Sequence, residues 1–478
     1  MTRNSPLTSV WLLLTAVACL CVYTFGKYLG TTEEAGWYLA GPMTTLGGAA
    51  LSVIGTWLVV GVVALARDRD WLRRETAVPW LVTTLTLVLY TNIIRERTMY
   101  GDVYDYVKAA MNLAHGEAFH PRYIYPPFLA VLLQPLTPLG ATGLVYACIV
   151  LELLALLAFV VLTSLLLVRA GLGPNLAYLL VGLGVVANTP LLRNILYVQA
   201  NLFVLDAVLV AILWFGRKTW LSALGLAVAI YLKMSPALLG VVFLMAWDFR
   251  WLVAIVGWML ALTAGVTRVG GELAWTSFLK NLSTMGDVSS EAFRDGSADA
   301  LARHTVRLLD LPGSLEKGIN YTLKGVWGLF GGLALWRLWE RHEDAPELPT
   351  TRLVIDGVLL WLPLMTLLAP KVWEHHAIFV MPTLLVALTR LKGRQEQGWW
   401  LLAWVLIFWI PTFDVYLLSW HRVIGIQLGW LVAARVILRE SPSPEILRFS
   451  TDLDQLLRPG PPDEIPLSSG PSLREPTL

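Results

Sequence analysis

The stretch GDVYDYVKAAMNLAHGEAFHPRYIYPPF, residues 101–128, is a polar island between apolar runs of the chain. An apolar run at 78–94 precedes it, and several more follow. The island carries two carboxylates, Asp102 and Asp105, three residues apart. If the stretch is helical, that spacing places both on one face with Tyr106 beside them. An acidic, aromatic and partly amphipathic loop at a membrane surface favours a site for chemistry on a lipid-linked substrate.

The rest of the chain has the composition of an integral membrane protein. Mean hydropathy is +0.63, 56% of the residues are hydrophobic and only 15% are charged. These values exclude an ordinary soluble core. The 22 tryptophans fit a large lipid interface, because indole rings lie at the level of the headgroups. The net charge of +2 is too small to indicate a nucleic-acid partner.

The apolar runs predict an all-α polytopic membrane protein with about 12–14 transmembrane helices, since about 20 apolar residues span the hydrocarbon core. The candidate segments are 8–29, 45–66, 78–94, 141–168, 176–189, 200–215, 220–232, 236–247, 251–267, 322–339, 353–369, 375–390, 399–411 and 417–437. We interpret the first as a retained anchor, with cleavage or lipidation at Cys19 as the alternative. Cys19, Cys21 and Cys148 all lie in apolar runs and form neither a disulfide framework nor a metal motif.

The basic loops predict the orientation. The densest is RDRDWLRR at 67–74, which we expect to be cytoplasmic. Residues 217–218, 250 and 390–394 then also lie inside, if each candidate segment crosses once. Residues 125–139 are apolar but carry four prolines, and we expect a partial dip or a broken helix there. This topology gathers the unusual polar residues on the extracytoplasmic side.

Asp102 is a candidate general base. Asp105 would be its helper or the second member of a metal pair. The structural alternative is that Asp102, which follows Gly101, caps a helix beginning near Val103, and that Asp105 is a solvated loop acid. The residues themselves leave both interpretations open.

Lys233 lies between two apolar stretches, 220–232 and 236–247, each too short to cross the bilayer comfortably. Pro236 disfavours one straight helix through this point. A lysine at such a break either extends its ammonium to the interface or meets an anion. In the second case it would serve as a point charge for a phosphate.

His375 and His376 are adjacent, with Lys371 and Glu374 just before them. On a helix two neighbouring side chains point about 100° apart, so these histidines are a poor chelating pair. They are either an interfacial pair or a pair in which one imidazole donates to a phosphate or sugar oxygen while the other orients it.

Gln199 and Asn201, in the segment YVQAN, either cap a helix or hydrogen-bond a hydroxylated ligand. The chain has no Walker loop, no GxGxxG and no nucleophile elbow, so we expect no soluble nucleotide-binding domain.

Taken in order, these motifs resemble those of a known family. They are Asp102 after a spanning helix, Gly116, Tyr125-Pro126-Pro127-Phe128, Gln199-Ala200-Asn201-Leu202, Leu232-Lys233-Met234-Ser235-Pro236-Ala237 and Ala369-Pro370-Lys371-Val372-Trp373-Glu374-His375-His376. The series resembles the GT87 family of membrane glycosyltransferases, of the GT-C fold, which includes polyprenol-phosphate-mannose-dependent mannosyltransferases. The family often has a glycine where this chain has Val198, and a Ser-Pro before the tryptophan where it has Ala369-Pro370-Lys371-Val372.

The resemblance covers about residues 78–437 and implies a GT-C-type helical bundle there, with extracytoplasmic loops and a cavity open to the bilayer. Residues 1–77 would be an N-terminal addition of two transmembrane helices, and 438–478 a disordered cytoplasmic tail.

The implied activity is inverting transfer of a sugar, expected to be mannose, from a polyprenyl-phosphate donor to a lipid-linked or cell-envelope glycan. It would occur at the outer face of the cell membrane, in contact with membrane lipids. We expect no cofactor and no metal, since the phosphodiester donor has a single charge to neutralise. Asp102 would be the catalytic base and accept the acceptor's proton. Donor phosphate binding is expected of Lys233, His375 and His376, and substrate binding of Asp105, Tyr125, Gln199, Asn201, Lys371 and Glu374.

A transporter or flippase of a lipid-linked glycan is the rival class. It would predict inverted repeats and charged residues in mid-membrane. The chain has no evident repeat, and its charges cluster in loops. A scaffold subunit is a further rival, and it would tolerate the loss of Asp102.

Overall fold

A computed structural model describes residues 101–439 except 187, 286–294, 346–347 and 411–417, together with Val82, Thr86 and Tyr90. The regular elements of this part are helices, and no strand occurs among the residues described. The predicted all-α class is therefore confirmed. The predicted N-terminal addition and most of the segment at 78–94 lie outside the described residues. So does the predicted tail from residue 440 onward.

The helices follow one another through short connections. The first group is α1 Val103–Ala114, α2 Phe128–Leu133, a 3₁₀ helix Gln134–Leu139, α3 Gly140–Arg169, α4 Pro174–Val186, α5 Thr189–Tyr197, α6 Asn201–Trp214 and α7 Thr219–Leu232. The second group is a 3₁₀ helix Ser235–Leu239, α8 Gly240–Met245, α9 Phe249–Met285, α10 Ala298–Leu308, α11 Leu315–Asp344, α12 Thr350–Leu368, a 3₁₀ helix Glu374–Val380, α13 Met381–Leu388, α14 Gly393–Trp404, a π turn Val405–Trp409, a 3₁₀ turn Leu418–Trp420 and α15 His421–Arg439.

Four helical stretches of the described part are long and apolar enough to cross a membrane, judged by length and composition. They are Phe128–Arg169, Phe249–Thr284, Thr350–Leu368 and His421–Arg439, and the bent pair α4 and α5 would add a fifth. A polytopic membrane protein is thus confirmed. The larger number of about 12–14 crossings remains a prediction.

The antiparallel pair α6 and α7 forms the centre of the core. The sequence of α6 is apolar apart from Asn201 and Asp206, which is typical of a helix in the interior of a bundle. Gly225 lets α7 approach closely, because a Cβ at this position would lie 2.6 Å from the Ala207 carbonyl oxygen. Ser222 Oγ donates to the Ala211 carbonyl at 2.6 Å and joins the two helices further. This pair fixes where α6 begins and where α7 ends.

The proline-rich segment at 125–139 is broken, as its composition predicted. It forms α2 and the following 3₁₀ helix, and Gly140 then adopts φ 70 before α3 begins. Two helices were not predicted, namely α5 and α10.

The two ends of the bundle differ in charge. The C-terminus of α6 and the N-terminus of α7 lie on either side of Arg217, at one end of the bundle. The N-terminus of α6 at Asn201 and the C-terminus of α7 beside Lys233 lie at the other end, about 20 Å away at 1.5 Å per residue. Arg169 lies close enough to Arg217 for their charges to repel, so α3 ends at the same side. The polar residues predicted to form a site lie at the opposite end.

Candidate active site

Asp102 lies at the start of α1, where its carboxylate could act as a helix cap or as part of a site. It occupies the N-cap position, since α1 begins at Val103, but its side chain makes no capping hydrogen bond. Gln199 Nε2 donates to Asp102 Oδ2 instead. One turn later, the Tyr106 hydroxyl donates to Gln199 Oε1 at 3.4 Å. Asp102 and Tyr106 therefore share a face, as their spacing predicted, and that face meets the turn between α5 and α6.

This turn depends on a left-handed residue. Val198 has φ 51 and ψ 59, and the Gln199 N–H donates to the Asn194 carbonyl at 3.0 Å to close the end of α5. A β-branched residue rarely adopts this backbone conformation, whereas glycine adopts it without strain. The family that the motifs resemble often has glycine at this position, which fits this left-handed conformation. The turn places Gln199 in the interior, with 1% of its surface exposed.

Lys233 lies at a break in the chain, as predicted. Helix α7 ends at Leu232, and Lys233 is extended with φ −157 and ψ 132. Its ammonium donates to Asn201 Oδ1 at 2.9 Å and contacts His376 Nε2. Asn201 Nδ2 in turn donates to Asn194 Oδ1 at 3.0 Å.

The His pair belongs to the 3₁₀ helix Glu374–Val380, and both rings are buried. The Trp373 N–H donates to His376 Nδ1 at 2.9 Å, so Nε2 is the nitrogen that faces Lys233. The two imidazole centroids lie 4.6 Å apart. Asn194 Nδ2 donates to the His375 carbonyl at 2.7 Å and ties this segment to α5. The structure thus brings Gln199, Asn201, Lys233 and both histidines to one place.

The other predicted residues lie at the edge of this cluster or serve different partners. Tyr125 packs edge-on against Tyr106, with ring centroids 5.2 Å apart. Asp105 is partly buried among the positive charges of Arg122, His120 and Lys108. Lys371 is partly buried, and it makes no hydrogen bond to the cluster within the part of the chain that the structure describes.

Glu374 is held between two arginines that sequence reasoning missed. Arg193 Nε lies 3.2 Å from Glu374 Oε2, and Arg422 Nη2 lies 3.4 Å from Oε1. Arg422 also donates to the Ile407 and Ile410 carbonyls, which anchors it to the chain before α15. Arg193 and Asn194 interrupt the apolar run before Gln199, and this interruption was the available signal for a polar role.

Burial shifts the acid–base properties of the two charged groups. Removal from water raises the pKa of Asp102, and the Gln199 hydrogen bond and the Lys233 charge partly oppose this shift. Burial lowers the pKa of Lys233 to about 7, with the Asp102 charge acting in the opposite direction. The cluster therefore combines a carboxylate of raised basicity with an amine that is protonated below about pH 7. Among the described residues, no three His, Cys, Asp or Glu side chains come together as metal ligands would.

Known proteins with similar sequences come from mycobacteria. One is the polyprenol-phosphate-mannose-dependent alpha-(1-2)-phosphatidylinositol pentamannoside mannosyltransferase of Mycolicibacterium smegmatis, 27% identical over 368 residues that cover 70% of this chain and 82% of the relative. Another is the polyprenol-phosphate-mannose-dependent alpha-(1-2)-phosphatidylinositol mannoside mannosyltransferase of Mycobacterium tuberculosis, 26% identical over 348 residues, 66% of this chain and 75% of the relative. No solved structure matches the chain.

The model of one protein family matches residues 123–370, just over half of the chain. The matched region begins at Tyr123 and ends at Pro370, and it contains Tyr125, Gln199, Asn201 and Lys233. The chain is a membrane glycosyltransferase and belongs to glycosyltransferase family 87.

Proposed function

We propose that this glycosyltransferase moves mannose from a polyprenyl-phosphate donor to a lipid-linked glycan, with inversion at C1 of the sugar and at the outer face of the cell membrane. The observation that carries the proposal is the pairing in the cluster. Asp102 and Lys233 are close enough to influence each other's charge, yet each is hydrogen-bonded to a neutral amide, Gln199 or Asn201. Both charges therefore remain available for substrates.

The carboxylate supplies the base. A hydroxyl oxygen of the acceptor attacks C1, and its proton passes to the Asp102 oxygen that Gln199 does not hold. Burial favours this role, because the raised pKa makes the carboxylate a stronger base. A single carboxylate suffices for direct displacement.

Lys233 and His376 supply the opposite charge. As the bond between C1 and the phosphate oxygen breaks, the electron pair leaves with the polyprenyl phosphate and negative charge grows on its oxygens. Lys233 Nζ and His376 Nε2 face each other, and because His376 Nδ1 accepts from the Trp373 N–H, Nε2 carries the ring proton of the neutral imidazole. A phosphate oxygen that enters beside this contact accepts from both nitrogens, and donors fixed in advance stabilise such charge most effectively. His375, whose carbonyl is bound by Asn194, orients this segment.

The identity of donor and acceptor rests on the relatives. Their names give polyprenol-phosphate-mannose as the donor and phosphatidylinositol mannosides as acceptors, and they match 66% to 70% of this chain. We propose the same donor, and an acceptor of the same class, namely a glycolipid with an exposed hydroxyl.

The direct test uses the purified full-length chain in lipid nanodiscs. Labelled polyprenyl-phosphate mannose and phosphatidylinositol mannosides are supplied together, and the expected product is a glycolipid with one additional mannose. A transporter would instead move the labelled donor across a proteoliposome bilayer and leave the acceptor unchanged. That result would overturn the proposal.

The outer location is supported by the charge of the two ends. Arg217, Arg390 and Arg439 lie at the end opposite Asp102 and Lys233, and basic loops favour the cytoplasm.

The orientation is tested with single cysteines, which replace the exposed residues Glu117, near the candidate site, and Arg217, in a background without the three native cysteines. Gly101 is unsuitable, because a Cβ there would lie 2.8 Å from the Tyr197 ring.

An impermeant thiol reagent should label Glu117→Cys in intact cells and Arg217→Cys only after permeabilisation. The reverse pattern would place the candidate site in the cytosol and remove the argument for a lipid-linked donor over a sugar nucleotide.

A further inference from the structure

We infer that Gln199 is a positioning residue for proton transfer, which holds the Asp102 carboxylate in place, and that Tyr106 supports the Gln199 amide by a hydrogen bond to its oxygen. This inference rests on the proposed function, in which Asp102 is the base. It differs from the expectation that Gln199 binds a hydroxylated substrate.

The hydrogen bonds run in one direction toward the carboxylate. The Ala200 N–H donates to the Tyr106 hydroxyl at 3.5 Å, and that hydroxyl donates to Gln199 Oε1 at 3.4 Å. Gln199 Nε2 then donates to Asp102 Oδ2. A flipped amide would direct Oε1 at the carboxylate, which is an acceptor only, and would lose that hydrogen bond. The carboxylate therefore selects the orientation in which Gln199 donates to Asp102, and the Tyr106 hydroxyl supplies the donor for Gln199 Oε1.

The hydrogen-bonding capacity of Gln199 is largely used inside the protein. Its oxygen accepts from Tyr106 and one of its two N–H bonds is given to Asp102, while the side chain is almost fully buried. Asp102, by contrast, is only partly buried, and within the described part of the chain only its Oδ2 accepts a side-chain hydrogen bond. The acceptor hydroxyl is thus expected at Asp102, with Gln199 behind it.

The same contact sets the pH at which the base functions. Of the residues that the structure describes, the charged groups around Asp102 are Asp105 on its own helix, Arg122 in the loop after α1 and Lys233 at the end of α7, and Tyr125 also faces it. Lys233 and Arg122 favour the ionised carboxylate, and Asp105 opposes it. The Gln199 N–H also favours the ionised form, so its removal should raise the pKa of Asp102.

A base acts only when it is unprotonated, so the acid limb of the pH profile should move to higher pH. The test measures kcat/KM against pH for wild type, Gln199→Met and Tyr106→Phe, with polyprenyl-phosphate mannose as donor. Gln199→Met keeps the length of the side chain and removes its hydrogen bonds. We expect its acid limb to move up by about one pH unit, which is roughly a tenfold loss of rate below the limb. Tyr106→Phe should move the limb in the same direction by less, and neither variant should change the donor KM.

An unchanged acid limb with a raised acceptor KM in Gln199→Met would mean that Gln199 contacts substrate, and would overturn the inference. If Gln199→Met fails to fold, Tyr106→Phe decides, because it removes one oxygen atom; an unchanged limb there would equally overturn the inference. Asp102→Asn tests the base separately from Gln199. Normal transfer by Asp102→Asn would refute the role of Asp102 as the base. Loss of transfer in Asp102→Asn, combined with unshifted acid limbs in Gln199→Met and Tyr106→Phe, would refute only the role of Gln199.

Discussion

Asp102 and Lys233 are held differently from the buried charges at the opposite end of the bundle. At the end away from the candidate site, Arg390 meets Asp356 through two hydrogen bonds of 2.7 and 3.0 Å, and both side chains are almost fully buried. Glu396 at the same end accepts from Arg435 and Arg439. Each carboxylate there has a guanidinium in direct contact, so the charges neutralise one another within the protein.

At the candidate site Asp102 and Lys233 do not meet each other, whereas Glu374 nearby is paired with Arg193 and Arg422. Asp102 and Lys233 are partly buried, and each is hydrogen-bonded to an amide of an almost fully buried residue, Gln199 or Asn201. Removing a charge from water without an opposite partner is costly, and such an arrangement is typical of a site where substrate supplies the partner. Burial alone therefore does not distinguish structural charges from functional ones. The group that hydrogen-bonds the buried charge, a guanidinium or a neutral amide, does distinguish them.

Breaking the structural pair should give the largest loss of stability. Arg390→Met leaves the Asp356 carboxylate buried without its bidentate partner, and we expect the free energy of unfolding in detergent to fall by about 3 kcal/mol or more. Arg352, 3.7 Å from Asp356, keeps the loss near the low end of the usual range. Arg435→Met is the matched control, because this side chain is 69% exposed and its ion pair should contribute less than about 1 kcal/mol. Equal losses in the two variants would contradict the comparison.

Removing the charge at the site should act on substrate instead. Lys233→Met keeps the apolar stem and loses the ammonium, and donor affinity should weaken by about 1.5–3 kcal/mol, the contribution of one charged hydrogen bond. Turnover should fall as well, because negative charge grows on the leaving phosphate. Lys218→Met, which removes an exposed lysine at the opposite end of the bundle, serves as the control. Normal donor binding and turnover in Lys233→Met would mean that this lysine only extends to the membrane interface.

The pH dependence of donor binding should be smaller and should depend on the same lysine. Since burial lowers the pKa of Lys233 to about 7, the amine carries a positive charge below that pH and loses it above. Affinity for the anionic donor should therefore be highest below about pH 7 and decline above it, by at most tenfold per unit. Equilibrium binding at pH 6 and pH 8 measures this, and Lys233→Met should show the dependence weakened. A wild-type affinity that rises with pH would contradict the assignment.

The sequence predicted the parts that depend on local pattern. Long apolar runs predicted α3, α6, α7 and α12 to within a few residues, because hydrophobicity alone sets their length. Pro236 and the short flanking stretches predicted the break at Lys233. The topology set by the basic loops placed Asp102, Gln199, Lys233 and the histidines on one side of the membrane, and the family resemblance assigned them to one site.

What the sequence did not predict depends on contacts between distant residues. Helix α10, Ala298–Leu308, is polar and lies outside any apolar run, so its helical form was not anticipated. The partners of Glu374 are Arg193 and Arg422, 181 and 48 positions away, and no local pattern connects them. For the same reason, the sequence could not show whether Gln199 binds a ligand or Asp102, because this depends on the contact between α1 and the turn after α5.

Among the described residues no cation is in direct contact with Asp102, and the central claim is that this carboxylate takes the acceptor's proton. The most direct measurement is the rate of mannose transfer by purified Asp102→Asn, which keeps the size of the side chain and removes its basicity. The rate should fall by at least about 10²-fold, a typical contribution of a general base, while thermal stability and donor affinity stay near the wild-type values. Transfer at a near-wild-type rate by this variant would contradict the account.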